Sequence, residues 1–571
     1  MKKLLLFSLL AAVLSACAAD KKPVIATTID YLDYVFFDER TYEMSYYPLE
    51  YYEMRIKEMA DGGIKKIYLR VNVCGTTHYP SKVSALYGEN DAFHWQDDHK
   101  AGALRLIETY KHYNPLTETI RLGHKYGLEV WAWESLFDDA GLRYDLDKVP
   151  AEYKEFYKRN DGWPLLDPFY RNNMDCFAMR DPRHALSPDK IDAINRDARR
   201  NPITRIVFTN RTPGCRKIQV TAKDFDILTS PDNQTWKRVA KPFKFKTSVT
   251  PDGFNRFEIT GISITDPYVK LVGKKPWKPN TWSIVLLEQR GQGEIYDSTG
   301  RKVQSVWNWL ELPEGKGSLF FNRFQAPAAW EFGNRQLGFV VGAAPVQHWY
   351  YGMAEFNVPK AMKHKVDRFI ELAEYPFDGF IFNIRCHSRG PNPEQYGYNP
   401  EVREIYMKRY GKDIWKDDVD VDKLFMIRAE AIADFFKNCK AHSGGRPIYL
   451  SGPRPAEFEP EKGIRSQDYG DVFGPLPWLY KRYFADGSID GVVMILRRVD
   501  PDFAAYFTPE VTGGKPIKLG IFREMGQYPN NREAMQEDLR QLKKRTDLDE
   551  IELYETLVLS KMPEIYNVIK E

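Results

Sequence analysis

Eight short β-rich runs separated by longer helical patterns predict a (β/α)8 barrel. One stretch, Pro202 to Val303, loses the helical pattern and predicts an all-β sandwich inserted between the third and fourth barrel strands. The first run is not followed by a Gly-rich dinucleotide fingerprint, which argues against a doubly wound open sheet, the other architecture that alternating strands and helices could build.

The barrel strands are expected at Ile25–Tyr31, Lys66–Val73, Leu128–Glu134, Phe377–Arg385, Pro447–Ser451, Asp490–Arg497, Pro516–Glu524 and Glu550–Glu555. Each combines β-branched or aromatic residues with a turn signal nearby. Helical patterns intervene at Pro48–Gly62, Leu116–Tyr126, Val358–Ala373, Asp422–Ala441 and Asn531–Lys544. Strands alternating with helices imply parallel pairing through right-handed crossovers. Within the interrupting stretch, short strands are expected at 203–210, 217–228, 236–239, 254–262, 268–272 and 282–288. The domain plan is residues 1–17 as a processed leader, 24–166 as the first part of the barrel, 190–310 as the insert and 332–571 as the second part.

The N-terminus carries Lys2 and Lys3, an apolar run from Leu4 to Val13, and then Leu14-Ser15-Ala16-Cys17. The apolar run is too short to span a bilayer. This pattern resembles the bacterial lipoprotein signal, in which cleavage leaves an acylated cysteine. The resemblance implies an exported chain held to a membrane by a lipid on Cys17, with a short tether to Pro23. The expected location is the cell envelope, on the outer membrane, with periplasmic face and cell surface both open.

Composition narrows the function classes. A formal net charge of +3 over 571 residues gives no reason to invoke nucleic acid. Aromatic content of 14% supplies flat faces of the kind that stack on sugars, although aromatics also fill cores. Beyond Cys17, Cys74, Cys176, Cys215, Cys386 and Cys439 are scattered without a C-x-x-C pair, so neither a disulfide framework nor a zinc knot is expected. His94 and His99 fall in a polar loop, and no H-E-x-x-H, G-x-S-x-G or phosphate loop occurs. No metal or cofactor is expected.

Reactive side chains of such barrels stand at the C-terminal ends of the strands. Those ends offer Asp30, Arg70 and Asn72, Glu134, Asn383 with Arg385 and His387, Arg497 and Asp500, Glu524 and Glu555. Glycoside hydrolysis takes two carboxylates, one to protonate the leaving oxygen and one to attack or to activate water. Glu524 is the candidate nucleophile or base, with Glu134 as the candidate acid. Glu555 is a weaker candidate, because Glu550, Glu552 and Glu555 include expected surface positions. Arg70, Arg385, Arg389, Arg454, Arg497 and Arg523 all lie at or just beyond strand ends. Guanidinium groups bind carboxylate or sulfate bidentately, which suggests an anionic substrate; each arginine could equally neutralise a barrel carboxylate. Arg70, Asn72, Asn383, Arg385, His387, Arg497 and Glu555 form the candidate substrate-binding set.

Two further phrases carry resemblances. Asp378-Gly-Phe-Ile-Phe-Asn383, followed by Tyr398-Asn-Pro-Glu-Val-Arg-Glu-Ile-Tyr-Met-Lys-Arg-Tyr-Gly-Lys-Asp-Ile414, resembles the family-10-like glycosyl hydrolase barrels of bacterial lipoproteins. That implies a barrel glycoside hydrolase, with Glu524 matching the clan's seventh-strand glutamate by strand count. At the fourth strand, where the family places an acid, this chain has Asn383 followed by Ile384. Ser230-Pro-Asp-Asn-Gln-Thr-Trp-Lys-Arg-Val239 resembles a hairpin common in discoidin-like, galactose-binding sandwiches, which implies a sugar-binding insert. The first functional reading is therefore an exported lipoprotein that cleaves a polysaccharide, with a uronate or sulfated glycan as candidate. The alternatives are a noncatalytic glycan-binding lipoprotein and a polysaccharide lyase in which His387 or a tyrosine takes the proton.

Overall fold

A computed structural model describes residues 22–30, 44–73, 75–87, 89, 97–137, 139, 167–184, 188–210, 221–231, 235–240, 242–250, 255–274, 292–306, 309–312, 316–323, 340–343, 348–383, 393–452, 479–495, 503–524, 532–554, 559 and 562–571. Eight parallel strands close into a barrel in sequential order: β1 (Val24–Ile29), β2 (Lys66–Arg70), β3 (Glu129–Ser135), β4 (Gly379–Asn383), β5 (Ile448–Gly452), β6 (Gly491–Ile495), β7 (Lys518–Glu524) and β8 (Glu550–Tyr554). β8 pairs back onto β1 with Ala26 opposite Glu552, so the barrel has no open edge.

Alternation along each strand sorts its residues into two cores. Ile25, Ile67, Leu69, Val130, Ala132, Phe380, Phe382, Leu450 and Ile551 face outward and join one large apolar cluster with the surrounding helices. Ala26, Tyr68, Trp131, Trp133, Ile381, Tyr449, Val493, Phe522 and Tyr554 face inward and fill the barrel. The large interior rings fit because small residues oppose them. A Cβ on Gly379 would come within 2.6 Å of the Trp131 ring, and one on Gly491 within 2.7 Å of Tyr449.

Helices cover the outside, among them α1 (Leu49–Asp61), α2 (Pro115–Lys125), α3 (Pro359–Ala373), α4 (Pro400–Tyr410), α5 (Val421–His442) and α6 (Arg532–Lys543). Local chemistry sets their ends. α2 starts at Pro115, behind Asn114, whose side chain accepts from the Thr117 N–H at 3.1 Å. α4 stops at Gly411, which adopts φ 69°.

The two phrases that carry the barrel resemblance build architecture. Asp378 accepts from the Val130 N–H at 2.7 Å and contacts His124 at 2.9 Å, fastening the start of β4 to β3. After Gly411, Arg403 grips Asp413 with two contacts of 2.7 and 2.6 Å, and Ile414 is buried against Tyr398, Val402 and Tyr406. The second phrase thus holds α4 in an apolar cluster separate from the barrel interior, whereas the first sends Ile381 and Asn383 inward.

Two five-stranded antiparallel sheets lie between β3 and β4 in the chain. One orders its strands 244–249, 255–264, 203–210, 292–297 and 302–306; the other 309–312, 316–322, 268–273, 225–230 and 237–238. Residues of both, including Ile206, Phe208, Phe257, Ile227 and Leu271, share one apolar cluster. The Ser230–Val239 phrase joins two antiparallel strands, with Leu228 opposite Arg238.

Candidate active site

The polar groups inside the barrel concentrate on β1, β2 and β8. At the C-terminal end, Arg70 donates from Nη1 to Asp30 Oδ2 at 2.5 Å, and the Tyr554 hydroxyl donates to the same oxygen at 3.1 Å. Arg70 also lies 5.1 Å from the Trp133 ring centroid and donates from Nε to the Asn72 carbonyl at 3.0 Å. Both Asp30 and Arg70 are fully buried, so the carboxylate and guanidinium are held as a pair. Across the mouth, Asn383 donates to Ser451 Oγ at 3.0 Å.

Deeper in the barrel, Lys66 Nζ sits 2.5 Å from Glu550 Oε2 and 4.1 Å from the Trp131 ring, with Tyr68 and Tyr449 also around it. Tyr68 donates to Glu550 Oε1 at 2.5 Å. Burial, followed by the charges of Glu550 and Glu552, pushes the Tyr68 hydroxyl well above its ordinary pKa, so it remains a donor. Glu552 accepts from Thr28 at 2.5 Å, and its Oε2 meets no donor. Burial, helped by the neighbouring Glu550 charge, pushes the Glu552 carboxyl up to about 8.

The predicted site residues divide into three groups. Asp30, Arg70 and Asn383 do face the interior at the C-terminal end. Glu134 does not. Trp133 packs inside the barrel, so Glu134 has the opposite parity and faces α3, where Arg368 holds it in a buried ion pair through Nε, at 3.0 Å, and Nη2. It therefore cannot be the acid of a site inside the mouth. Arg523 is likewise turned outward and pairs with Asp538 of α6. Asn72 has both ends of its amide engaged by the Ser135 backbone, donating to its carbonyl at 3.0 Å and accepting from its N–H at 2.7 Å. It fastens β2 to β3 and offers no free group to a substrate.

Glu524 closes β7, paired in register with Tyr554 and two residues after the interior Phe522; its side chain is outside the described set. Cys17, His94, Arg385, His387, Arg389, Arg454, Arg497, Asp500 and Glu555 lie outside the described residues, as does the side chain of His99.

Sequence reasoning missed Tyr554 and did not single out Glu550 and Glu552, which it grouped with Glu555 in a set expected to include surface positions and which are both buried in the interior. The signal was present. In Glu550-Ile-Glu-Leu-Tyr554 the apolar Ile551 and Leu553 face the helices, which leaves the three polar residues for the lumen.

No family model and no curated protein matches the chain. Among solved structures, it is similar to the catalytic domain of β-amylase from Paenibacillus polymyxa, with 7% identity, 94% of each chain covered and a TM-score of 0.37. A morphinone reductase variant with bound tetrahydroNAD shares 9% identity over 42% of this chain and 61% of the other, with a TM-score of 0.22. Likenesses this low carry no argument about activity. The fold rests on the chain's own strand order.

Proposed function

We propose that this chain is a glycoside hydrolase whose active centre is the C-terminal mouth of the barrel. The observation that carries the reading is the inward polar group of Asp30, Arg70 and Tyr554 at the ends of β1, β2 and β8, beside the β7 end occupied by Glu524. On this reading Glu524 serves as nucleophile or base. With Glu134 turned outward, Asp30 replaces it as the second carboxylate facing the mouth. Because Arg70 is neutralised by Asp30, preference for a uronate or sulfated glycan rests on Arg385 and Arg497. The two antiparallel sheets are read as an inserted discoidin-like sandwich that binds sugar, and the Cys17 lipid as the tether that keeps the barrel at the cell envelope.

A noncatalytic glycan-binding role is the second reading. It is favoured by the closure of Asp30 between Arg70 and Tyr554, which leaves that carboxylate poorly placed to accept a proton. The deciding experiment incubates the protein with neutral, uronate and sulfated glycans and compares Glu524→Gln and Asp30→Asn. Release of new reducing ends by the wild type, lost in Glu524→Gln, supports hydrolysis. Glycan binding without cleavage supports the second reading, and an unsaturated, ultraviolet-absorbing product would indicate a lyase.

A further inference from the structure

Among the described residues, the barrel interior holds two carboxyl groups on one strand with one lysine, Lys66, beside them. Glu550 and Glu552 are two residues apart on β8, so both side chains enter the lumen. Lys66 is committed to Glu550, and Tyr68 donates to the other Glu550 oxygen. Glu552 receives only the Thr28 hydroxyl, its Oε2 is buried without a donor, and its side chain has no exposure to solvent. Among the described residues, the other charged or titratable groups around this space are Glu129 on β3, 3.8 Å from Lys66, Tyr449 on β5, Asp30 on β1, Arg70 on β2 and Tyr554 on its own strand. Arg70 and Tyr554 are both turned to Asp30, so neither is directed at Glu552. Among the described residues a second carboxylate here would have no cation of its own, which is costly in a water-poor interior.

We propose that Glu552 is a proton-operated switch in the barrel wall, neutral in the resting fold and destabilising the seam between β8 and β1 when it ionises. The seam is the strand pair that also brings Tyr554 to Asp30, so ionisation one step below the mouth loosens the mouth as well. Burial and the Glu550 charge raise the folded-state value from 4.5 to about 8. An acid whose folded value is raised binds its proton more tightly when folded. Its contribution is complete below the unfolded value and is lost as pH rises through the folded one. The window is therefore about pH 4.5 to 8.

The test follows thermal unfolding of the whole chain from pH 5 to 9, for wild type and Glu552→Gln, together with the infrared carbonyl band of protonated carboxyl groups near neutral pH. The expected result is a wild-type midpoint that falls relative to the variant up to about pH 8 and then runs parallel to it. Part of the protonated-carboxyl band should be present in the wild type and missing from Glu552→Gln. Thr28→Val provides a second arm should Glu552→Gln fold poorly. Removing the hydroxyl that favours the ionised form should move the loss to higher pH. Parallel pH profiles with no difference in the band, or a Thr28→Val profile that does not move, overturn the proposal.

Discussion

Glu134 and Glu552 are both buried glutamates on barrel strands, and they meet opposite environments. Glu134 points out of β3 toward α3 and is held by Arg368, with Lys365 and Asp139 forming a second buried pair nearby at 2.5 Å. Glu552 points into the lumen, where the available lysine is already taken by Glu550. The outer seam can recruit arginine and lysine from a helix, because a helix can present a long side chain at any register. Among the described residues the lumen is lined by strand positions shared between aromatic rings and polar groups already paired with one another. Buried charges are paired on both sides of the wall, Glu134 with Arg368 outside and Glu550 with Lys66 and Asp30 with Arg70 inside, and Glu552 differs because among the described residues its Oε2 meets no donor.

The largest effect that would break this comparison is pH-dependent. Carrying Glu552 from pH 4.5 to 8 should reduce wild-type stability, relative to Glu552→Gln, by on the order of 5 kcal/mol in chemical denaturation. A profile that does not diverge from the variant would mean that the lumen tolerates the charge. Next, Arg368→Met strands the Glu134 carboxylate and should cost about 3–5 kcal/mol, whereas Glu134→Leu combined with Arg368→Met should lie close to wild type. Urea unfolding of the three proteins checks both, and a double variant as weak as the single would assign the loss to packing.

Smaller effects sharpen the picture of the lumen. Gly379→Ala should cost about 1–3 kcal/mol, because the added Cβ meets the Trp131 ring across the β3–β4 pair; the thermal midpoint reports it. Tyr554→Phe removes one donor from Asp30 and should cost about 1 kcal/mol, since Arg70 still holds that carboxylate. If that variant unfolds as the wild type does while glycan turnover drops, Tyr554 acts on substrate as well as on Asp30.

Much of the barrel was legible. The eight strand runs and the five intervening helical patterns coincide with observed elements to within a few residues, since both periods are strong and local. The candidate site was legible only in part. Asp30, Arg70 and Asn383 end on the inner face as strand alternation implies, but Glu134 was chosen for its place at a strand end without the parity that Trp133 fixes. Glu550 and Glu552 were counted in a set expected to include surface positions, because acidic residues ordinarily favour the surface, a preference that the Lys66 pair overrides for Glu550 and burial against Thr28 overrides for Glu552. Several strands between Lys244 and Asn322 were also missed, because short exposed runs such as Lys244–Val249 carry little apolar alternation.

The sequence by itself determined the strand and helix periods, the sequential order that closes the barrel and the polar residues at strand ends. Which of those residues share a space was decided by the tertiary structure. Closure sets β8 against β1, brings residues more than five hundred positions apart into one hydrogen bond between Thr28 and Glu552, and turns Glu134 away from the mouth. The physical reason is that parity is local to a strand, whereas the identity of inside and outside exists only once the sheet has closed.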